Sequence, residues 1–487
     1  MSNGKTLVWF RQDLRLSDNP ALHAAAQRGA VIPVYIWAPA EEGAWRPGGA
    51  TKWWLHHSLE SLDTELEKLD SHLVVRTLPA HPKERTSDLL ATLVRETGAD
   101  AVYFNRRYEE SARKQEEEVV AALERLGTTV RSFNGSLIHE PYEILNNSGE
   151  PYKVYTAYAR ACLRIAGKQK IVPTVRKLDT PPKMPKSDLL NALHLLPSIN
   201  WDEGISAAWT PGEAAASKRA RKFIANLVSA YTTTRNQPAV DGVSRMSPHL
   251  HFGEMSPRVL FHLVESARDD LDKDGRESVD KFLGEILWRE FAYYTLYHQP
   301  HTAESCLRQE FNQLDWRNDK KALQSWQRGQ TGVPIVDAGM RELWTTGWMH
   351  NRVRMIAASF LVKDLLISWQ KGAAWFWDTL VDADLANNTM GWQWVAGCGV
   401  DAAPYFRIMN PTLQGKKFDP DGVYVRRWIP ELKAVPSRFI HEPWLTPPLV
   451  QQQAGIEIGT DYPTPIIDHS AARQRVLTLY KGLRAAN

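Results

Sequence analysis

The 487-residue sequence predicts an α/β N-terminal domain, a Rossmann-like parallel sheet with helices on both faces, joined to an all-α C-terminal domain. Three observations lead there. The chain is too long for one ordinary hydrophobic core. Its first part alternates short β-branched runs with longer stretches of helical periodicity. After the TPGEAAA segment at Thr210, strand signals nearly vanish.

Residues 7–10, 31–37, 73–78, 101–105 and 130–133 read as strands. Between them, 51–69 and 109–126 carry helical spacing, and a βαβα rhythm implies parallel pairing with both faces of the sheet covered. The turn after the first strand is WFRQDLRLSDNP; it holds no G-x-G-x-x-G, so no nicotinamide dinucleotide site is expected there. The expected boundaries are 1–138 for the α/β domain, 139–210 for a connector and 211–487 for the helical domain. Prolines at 173, 181, 182, 185 and 197 break periodicity in the connector, which reads as a long surface crossing. Residues 279–298 and 339–370 are long and periodic enough for helices.

Composition narrows the function classes. Hydrophobic residues at 43% and charged residues at 24% describe a folded, water-soluble chain. No run of about 18 apolar residues occurs, so no membrane span is expected. The start of the chain lacks a signal-peptide apolar region. Cys162, Cys306 and Cys398 lie far apart and match neither a metal spacing nor a disulfide framework, so a reducing cytoplasmic setting is expected. A net charge of +3 proves no nucleic-acid partner; a DNA site would have to be a local basic patch. The 19 tryptophans exceed the ordinary share, and a large aromatic core accounts for them on composition alone.

Five segments carry candidate chemistry. VSRMSPHLHFGEMSPR, from Val243, holds two Ser-Pro pairs that suit helix starts, whose free amides can bind an anion. Ser244, Arg245 and Ser247 beside the first start would add hydroxyls and a cation for a pyrophosphate, although ordinary caps also explain the pattern. In GEILWREFAYYTLYHQP, Glu285 and Trp288 share a helix face, with Arg289 adjacent. A carboxylate beside an indole suits a nucleobase; an amphipathic helix with a core Trp is the plainer alternative. In TGWMHNRVRM, Asn351 and Met355 share a face, and Arg352 can meet a phosphate. Arg354, in an apolar run, needs an anion if buried, and Asp382 or Asp384 of VDADLANNTMGWQWVAG are the candidates. Gln414, Lys416 and Lys417 read as a polar, basic loop suited to a DNA backbone or simply to solvent.

These strings, with WFRQDLRLSDNP, SPHLHFGEMSP, WMHNRVRM, LVDADLANN and GWQWVAG…DAAPYFRIMNP, resemble the photolyase/cryptochrome family from the first strand to about residue 480. The style is that of bacterial class I or class III cyclobutane-dimer enzymes. The resemblance implies an N-terminal antenna-binding domain and a C-terminal domain holding reduced FAD in a U shape. It implies light-driven repair of pyrimidine dimers in UV-damaged DNA by a monomer, the dimer being flipped from the duplex. Tyr231, Val243, Ser244, Arg245, Met246, Ser247, Phe282, Arg289, Arg354, Asp382, Ala383, Asp384 and Asn388 fall at the FAD positions. Arg354 would pair with Asp382. Asn388 would face flavin N5, where plant cryptochromes carry Asp.

Arg235, Glu285, Trp288, Asn351, Arg352, Met355, Trp394 and Gln414 match lesion and DNA positions. Enzymes for (6-4) photoproducts carry His at the positions of Asn351 and Met355. Glu285 would hydrogen-bond the dimer, and Trp392, Trp369 and Trp316 match a chain that re-reduces flavin. Val243 stands where many relatives have Thr. NRRYEES, with Glu109, resembles a folate-binding stretch, so methenyltetrahydrofolate is expected as antenna ahead of a deazaflavin. A cryptochrome photoreceptor and a dark flavin oxidoreductase are the rivals. Trp288 and Met355 argue against the first, and the second predicts dark turnover without DNA affinity.

Overall fold

The computed structural model describes residues 4–79, 84–165, 170–402 and 407–485. Part of the DAAPYFRIMNP string, 403–406, lies outside them. Strands β1 (Gly4–Phe10), β2 (Gly29–Trp37), β3 (Val74–Thr77), β4 (Ala101–Asn105) and β5 (Thr129–Phe133) form one parallel sheet in the order β3-β2-β1-β4-β5. Helices α1 (Pro20–Arg28), α2 (Gly49–Glu67), α3 (Thr86–Thr97) and α4 (Glu110–Glu124) provide the crossovers. The two-residue period of the strands divides the core. Val8, Phe10, Val31, Tyr35 and Trp37 pack into one cluster, whereas Leu7, Trp9, Ile32, Val34 and Ile36 pack into another.

The turn after β1 serves as a docking surface. Asp13, Asn19 and Asn105 bond one another beneath it. Leu14 N donates to Phe252 O at 3.1 Å, and Arg15 Nη1 donates to Gly253 O at 2.8 Å. Gly253, at φ 67°, is required there, because a Cβ would sit 2.1 Å from Gln12 O. In place of the glycine-rich loop of a nicotinamide site, the sequence supplies a polar plug against the helical domain.

Residues 139–210 are mostly irregular but contain α5 (Tyr155–Ile165) and α6 (Glu203–Ala208). The connector is more than a surface crossing: Tyr158, Ala159 and Cys162 repeat at helical spacing and pack on Leu287, Phe291 and Tyr294. The C-terminal part opens with α7 (Glu213–Asn226), α8 (Tyr231–Thr234), α9 (Ser247–His251) and α10 (Pro257–Ser266). There follow α11 (Lys273–His298), α12 (Lys320–Gln327), α13 (Pro334–Thr346), α14 (Asn351–Ser359), α15 (Trp369–Thr379) and α16 (Leu385–Ala396). The last helices are α17 (Pro411–Phe418), α18 (Val423–Trp428), α19 (Pro448–Ala454) and α20 (His469–Ala485).

Two expectations are corrected. The single helix expected over 339–370 is divided between α13, α14 and a π-helical turn at Phe360–Asp364. Gly347 ends α13 in the left-handed region, and His350 caps α14 by accepting from Arg352 N. The loop expected around Gln414 is α17, started by Asn410, which accepts from Leu413 N, and by Pro411 in the first turn.

Candidate active site

A cavity of about 610 Å3 lies among α8, α9, α11, α14 and α16, a size suited to a small-molecule site. Helix periodicity brings its walls together. On α11, Phe282, Glu285, Ile286 and Arg289 recur at i, i+3, i+4 and i+7, with Trp288 beside them. On α14, Asn351, Met355 and Ala358 do the same, flanked by Arg352 and Arg354. Tyr231 and Arg235 enter from α8, and Val243, Ser244, Arg245, Met246 and Ser247 from the turn into α9. Asp382, Ala383, Asp384, Asn388, Trp392 and Trp394 close the far side.

Charge is arranged across this space. Half-buried Arg354 donates through Nη2 to buried Asp382 Oδ2 at 2.8 Å, and Ser247 Oγ donates to the same oxygen at 2.6 Å. Asp384 caps α16 by accepting from Asn387 N and also accepts a hydrogen bond from the Tyr293 hydroxyl. Burial opposes charge on Asp384, but hydrogen bonding with His251, the charges of His251 and Arg289, and the Tyr293 bond together hold it well below the usual carboxylate range. Burial, then the neighbouring Arg245, Arg352, Arg354 and Arg235, pushes His350 down to about 3, so this imidazole is neutral among four cations.

Arg245 occupies the left-handed region at φ 52°, with its guanidinium 4.6 Å above the Trp348 ring. Arg245 Nε and Asp382 Oδ1 are buried with no hydrogen-bond partner among the described residues. A ligand that both accepts and donates would satisfy them. The Ser-Pro hydroxyls do other work than capping: Ser247 bonds Asp382, and Ser256 bonds Asp18. Arg289 is held by Ser136 O at 3.0 Å and Glu290 at 3.4 Å.

Near the rim, Glu285 pairs with Arg235 at 2.5 Å. Arg352 is fixed by Asn236 Oδ1 at 2.7 Å and lies 4.6 Å above the Phe418 ring. One face of Trp288 is covered by Tyr155, with centroids 3.6 Å apart and an interplanar angle of 8°. Tyr155 is fastened in turn by its hydroxyl to Gly284 O at 2.7 Å. Asn388 Nδ2 donates to Ala373 O at 3.1 Å.

Six candidates do not line the cavity. Gln414, Lys416 and Lys417 sit on α17, outside its lining. Trp369 is fully buried in the core cluster that also holds Trp392, and half-buried Trp316 packs against the same cluster. The Trp392 ring is set against Phe376 at 5.0 Å and Trp326 at 6.2 Å. Glu109 borders a separate cleft of about 40 Å3 with Glu42, Trp45, Arg107 and Trp377, and its carboxylate pairs with Arg107 at 3.2 Å. Sequence reasoning missed Phe376, His251, Trp348 and Asn387 in the cavity wall, and Tyr155 behind it. The i, i+3, i+4, i+7 repeat of α5 was the available signal for Tyr155 as a packed residue; its contact with Trp288 had none.

Comparison with known proteins agrees with this architecture. Residues 6–182 match the DNA photolyase family model, and residues 282–482 match the FAD binding domain of DNA photolyase. The chain is 46% identical to a deoxyribodipyrimidine photo-lyase of Agrobacterium fabrum, over 99% of both proteins. It is 38% identical to cryptochrome-1 of Arabidopsis thaliana, over 98% of this chain and 70% of that protein. A bacterial class III photolyase from Agrobacterium tumefaciens superposes with a TM-score of 0.94 at 44% identity, covering 100% of this chain and 98% of the other. With the sheet, the helical domain and the shared cavity in place, the chain belongs to the photolyase/cryptochrome family.

Proposed function

We propose that this protein is a class III-type photolyase that repairs cyclobutane pyrimidine dimers in DNA by light-driven electron transfer from fully reduced, U-shaped FAD. The single observation that carries the reading is the shared cavity. It joins the Arg354–Asp382–Ser247 cluster, suited to a flavin dinucleotide, to Glu285, Trp288, Met355 and Trp394, suited to a flipped-out pyrimidine dimer. The two unpartnered atoms, Arg245 Nε and Asp382 Oδ1, fit a cofactor carrying both phosphate and donor groups.

Bound reduced FAD would supply the electron that opens the cyclobutane ring and would take it back. The chain's own residues do the rest. Trp288, stiffened by Tyr155, offers a flat apolar face to the dimer. Glu285, oriented by Arg235, borders the dimer's polar edge, and Asn351 offers an amide without a titrating proton. Arg352 stands ready for a phosphate. Asn388, anchored to Ala373 O, lies on the cavity wall as the candidate neighbour of flavin N5. Trp392, Trp369 and Trp316 are the proposed re-reduction path.

Methenyltetrahydrofolate is the proposed antenna, with Glu109 as its contact; the 40 Å3 cleft there must widen to admit a pterin. The protein is proposed to act as a cytoplasmic monomer; among the described residues no helix is long and apolar enough to cross a membrane. The test illuminates chemically reduced protein with a dimer-containing oligonucleotide. Return of pyrimidine absorbance is expected, and its absence with bound, reduced flavin present would overturn the repair reading.

A further inference from the structure

We propose that His56, His57 and Glu60 form a binding site for one divalent cation of the zinc class on a face of α2. None of the three lines the flavin cavity or the cleft at Glu109, so the site goes beyond the repair reading and stands apart from it. Histidines on a helix are ordinarily solvated or packed side chains. This trio differs in how its ligand atoms converge.

The site follows from helix spacing. Trp53, His56, His57 and Glu60 stand at i, i+3, i+4 and i+7 on α2, a single stripe of the helix. Glu60 therefore lies one turn beyond both histidines. Each of the three residues offers one ligand atom, and these atoms all lie within 4.8 Å of one another. Among the described residues, no other group of three or more His, Cys, Asp or Glu side chains converges in this way. His57 Nδ1 and Glu60 Oε2 are 3.3 Å apart. Zinc bonds of about 2.0–2.2 Å place neighbouring tetrahedral ligands about 3.4 Å apart, so one edge of a coordination shell is already at length.

Packing holds the imidazoles in place. The Trp53 ring meets His57 edge-on with centroids 4.7 Å apart, and the His56 and His57 rings are nearly perpendicular at 5.1 Å. His56 is only 7% exposed, and its Nδ1 is buried with no hydrogen-bond partner among the described residues. Buried polar atoms are ordinarily paired, so this ring keeps a nitrogen free for a ligand. The His57 and Glu60 side chains are 33% and 64% exposed, which leaves the outer side of the site open to water as a fourth ligand.

Two neutral imidazoles and one carboxylate select the metal. Imidazole suits zinc, copper and nickel, whereas magnesium and calcium take oxygen ligands. Binding forms two metal–nitrogen bonds and one metal–oxygen bond, displacing water from the cation and replacing the contact between His57 and Glu60. All three ligands belong to one helix, so the cation ties no domain to another and stabilises the folded chain by mass action.

Flavin-loaded protein, freed of metal with a chelator, should be titrated with zinc chloride by calorimetry, with and without excess magnesium. One zinc per chain is expected at this site, and magnesium should not compete. His57→Ala and Glu60→Gln should each weaken this uptake by at least about tenfold, the loss usual for disturbing even an outer-shell partner, while keeping bound flavin. His262→Gln is the control. His262 and Glu265 on α10 make a similar i, i+3 pair at 3.7 Å without a third ligand, and its loss should leave the titration unchanged. If zinc binds both variants as tightly as wild type, it is an adventitious ion only, held by other histidines, and the site is overturned. Absence of uptake, or displacement by magnesium, overturns it equally. Each of these failures leaves the flavin reading standing, because no ligand of the site lines that cavity.

Discussion

A tryptophan that meets a flipped base must hold still, and Trp288 does so because Tyr155 covers its other face. Replacing Trp288 by Ala should weaken binding to dimer-containing DNA by about 1–3 kcal/mol, the scale of one base–aromatic stack. Fluorescence anisotropy measures this, and unchanged affinity would remove Trp288 from the lesion pocket. Glu290 is a second single-residue case. It accepts from Ile138 N and His139 N while fully buried, and burial pushes it up from 4.5 to about 7 despite neighbouring Arg289. Because its value rises on folding, the stability it supports is complete below pH 4.5 and is lost as pH climbs towards 7. The loss is on the order of 3 kcal/mol. Glu290→Gln should flatten the denaturation midpoint across this interval; parallel curves for variant and wild type would refute the assignment.

Elements impose their own constraints. α15 and α16 approach closely because Gly372 leaves room for the Trp392 ring. Gly372→Ala should cost about 1–3 kcal/mol as an overpacked core site. It should also slow flavin photoreduction by displacing Trp392, which a melting curve and flavin bleaching read together; a stable variant with normal bleaching would show that this contact is dispensable. The break between α13 and α14 matters in the same way. A straight helix over 339–370 would not let Asn351 start a new one, and the start is what turns Asn351 and Met355 into the cavity. Periodicity alone could not reveal the break, because Gly347 and His350 sit within an otherwise helical run. The same blindness made Gln414 look like a loop residue, since the Asn410 cap and Pro411 initiate a helix whose residues are mostly polar.

At the scale of the molecule, the two domains are tied by a buried polar seam. Asp18 accepts from Ser256 Oγ and from Arg258 Nε at 3.1 Å, and its other oxygen accepts from Val172 N at 2.9 Å. Asp18→Ala would leave Arg258 buried without its anion, at a cost of about 3–5 kcal/mol. The domains should then melt apart instead of together in calorimetry, and one unchanged transition would contradict the seam's role. DNA affinity belongs to this scale too, since Arg235, Arg352 and Lys281 gather at one cavity rim. Binding should fall linearly in log–log form with added salt. A salt-insensitive complex would argue against a phosphate-binding rim.

The positions of the strands along the chain, the change to an all-helical second half and the main cavity residues were readable from sequence, because periodicity and motif strings are local properties; the order of the strands across the sheet was not. Ser247, Glu285, Asn351 and Asp382 each announced a chemical type and a helix face. Their convergence on one cavity was decided by tertiary structure, as was the Tyr155 stack on Trp288. That stack joins positions more than 130 residues apart, and only packing of whole helices fixes such a distance. A side chain's neighbours along the chain say what it can do; its neighbours across the fold decide what it does.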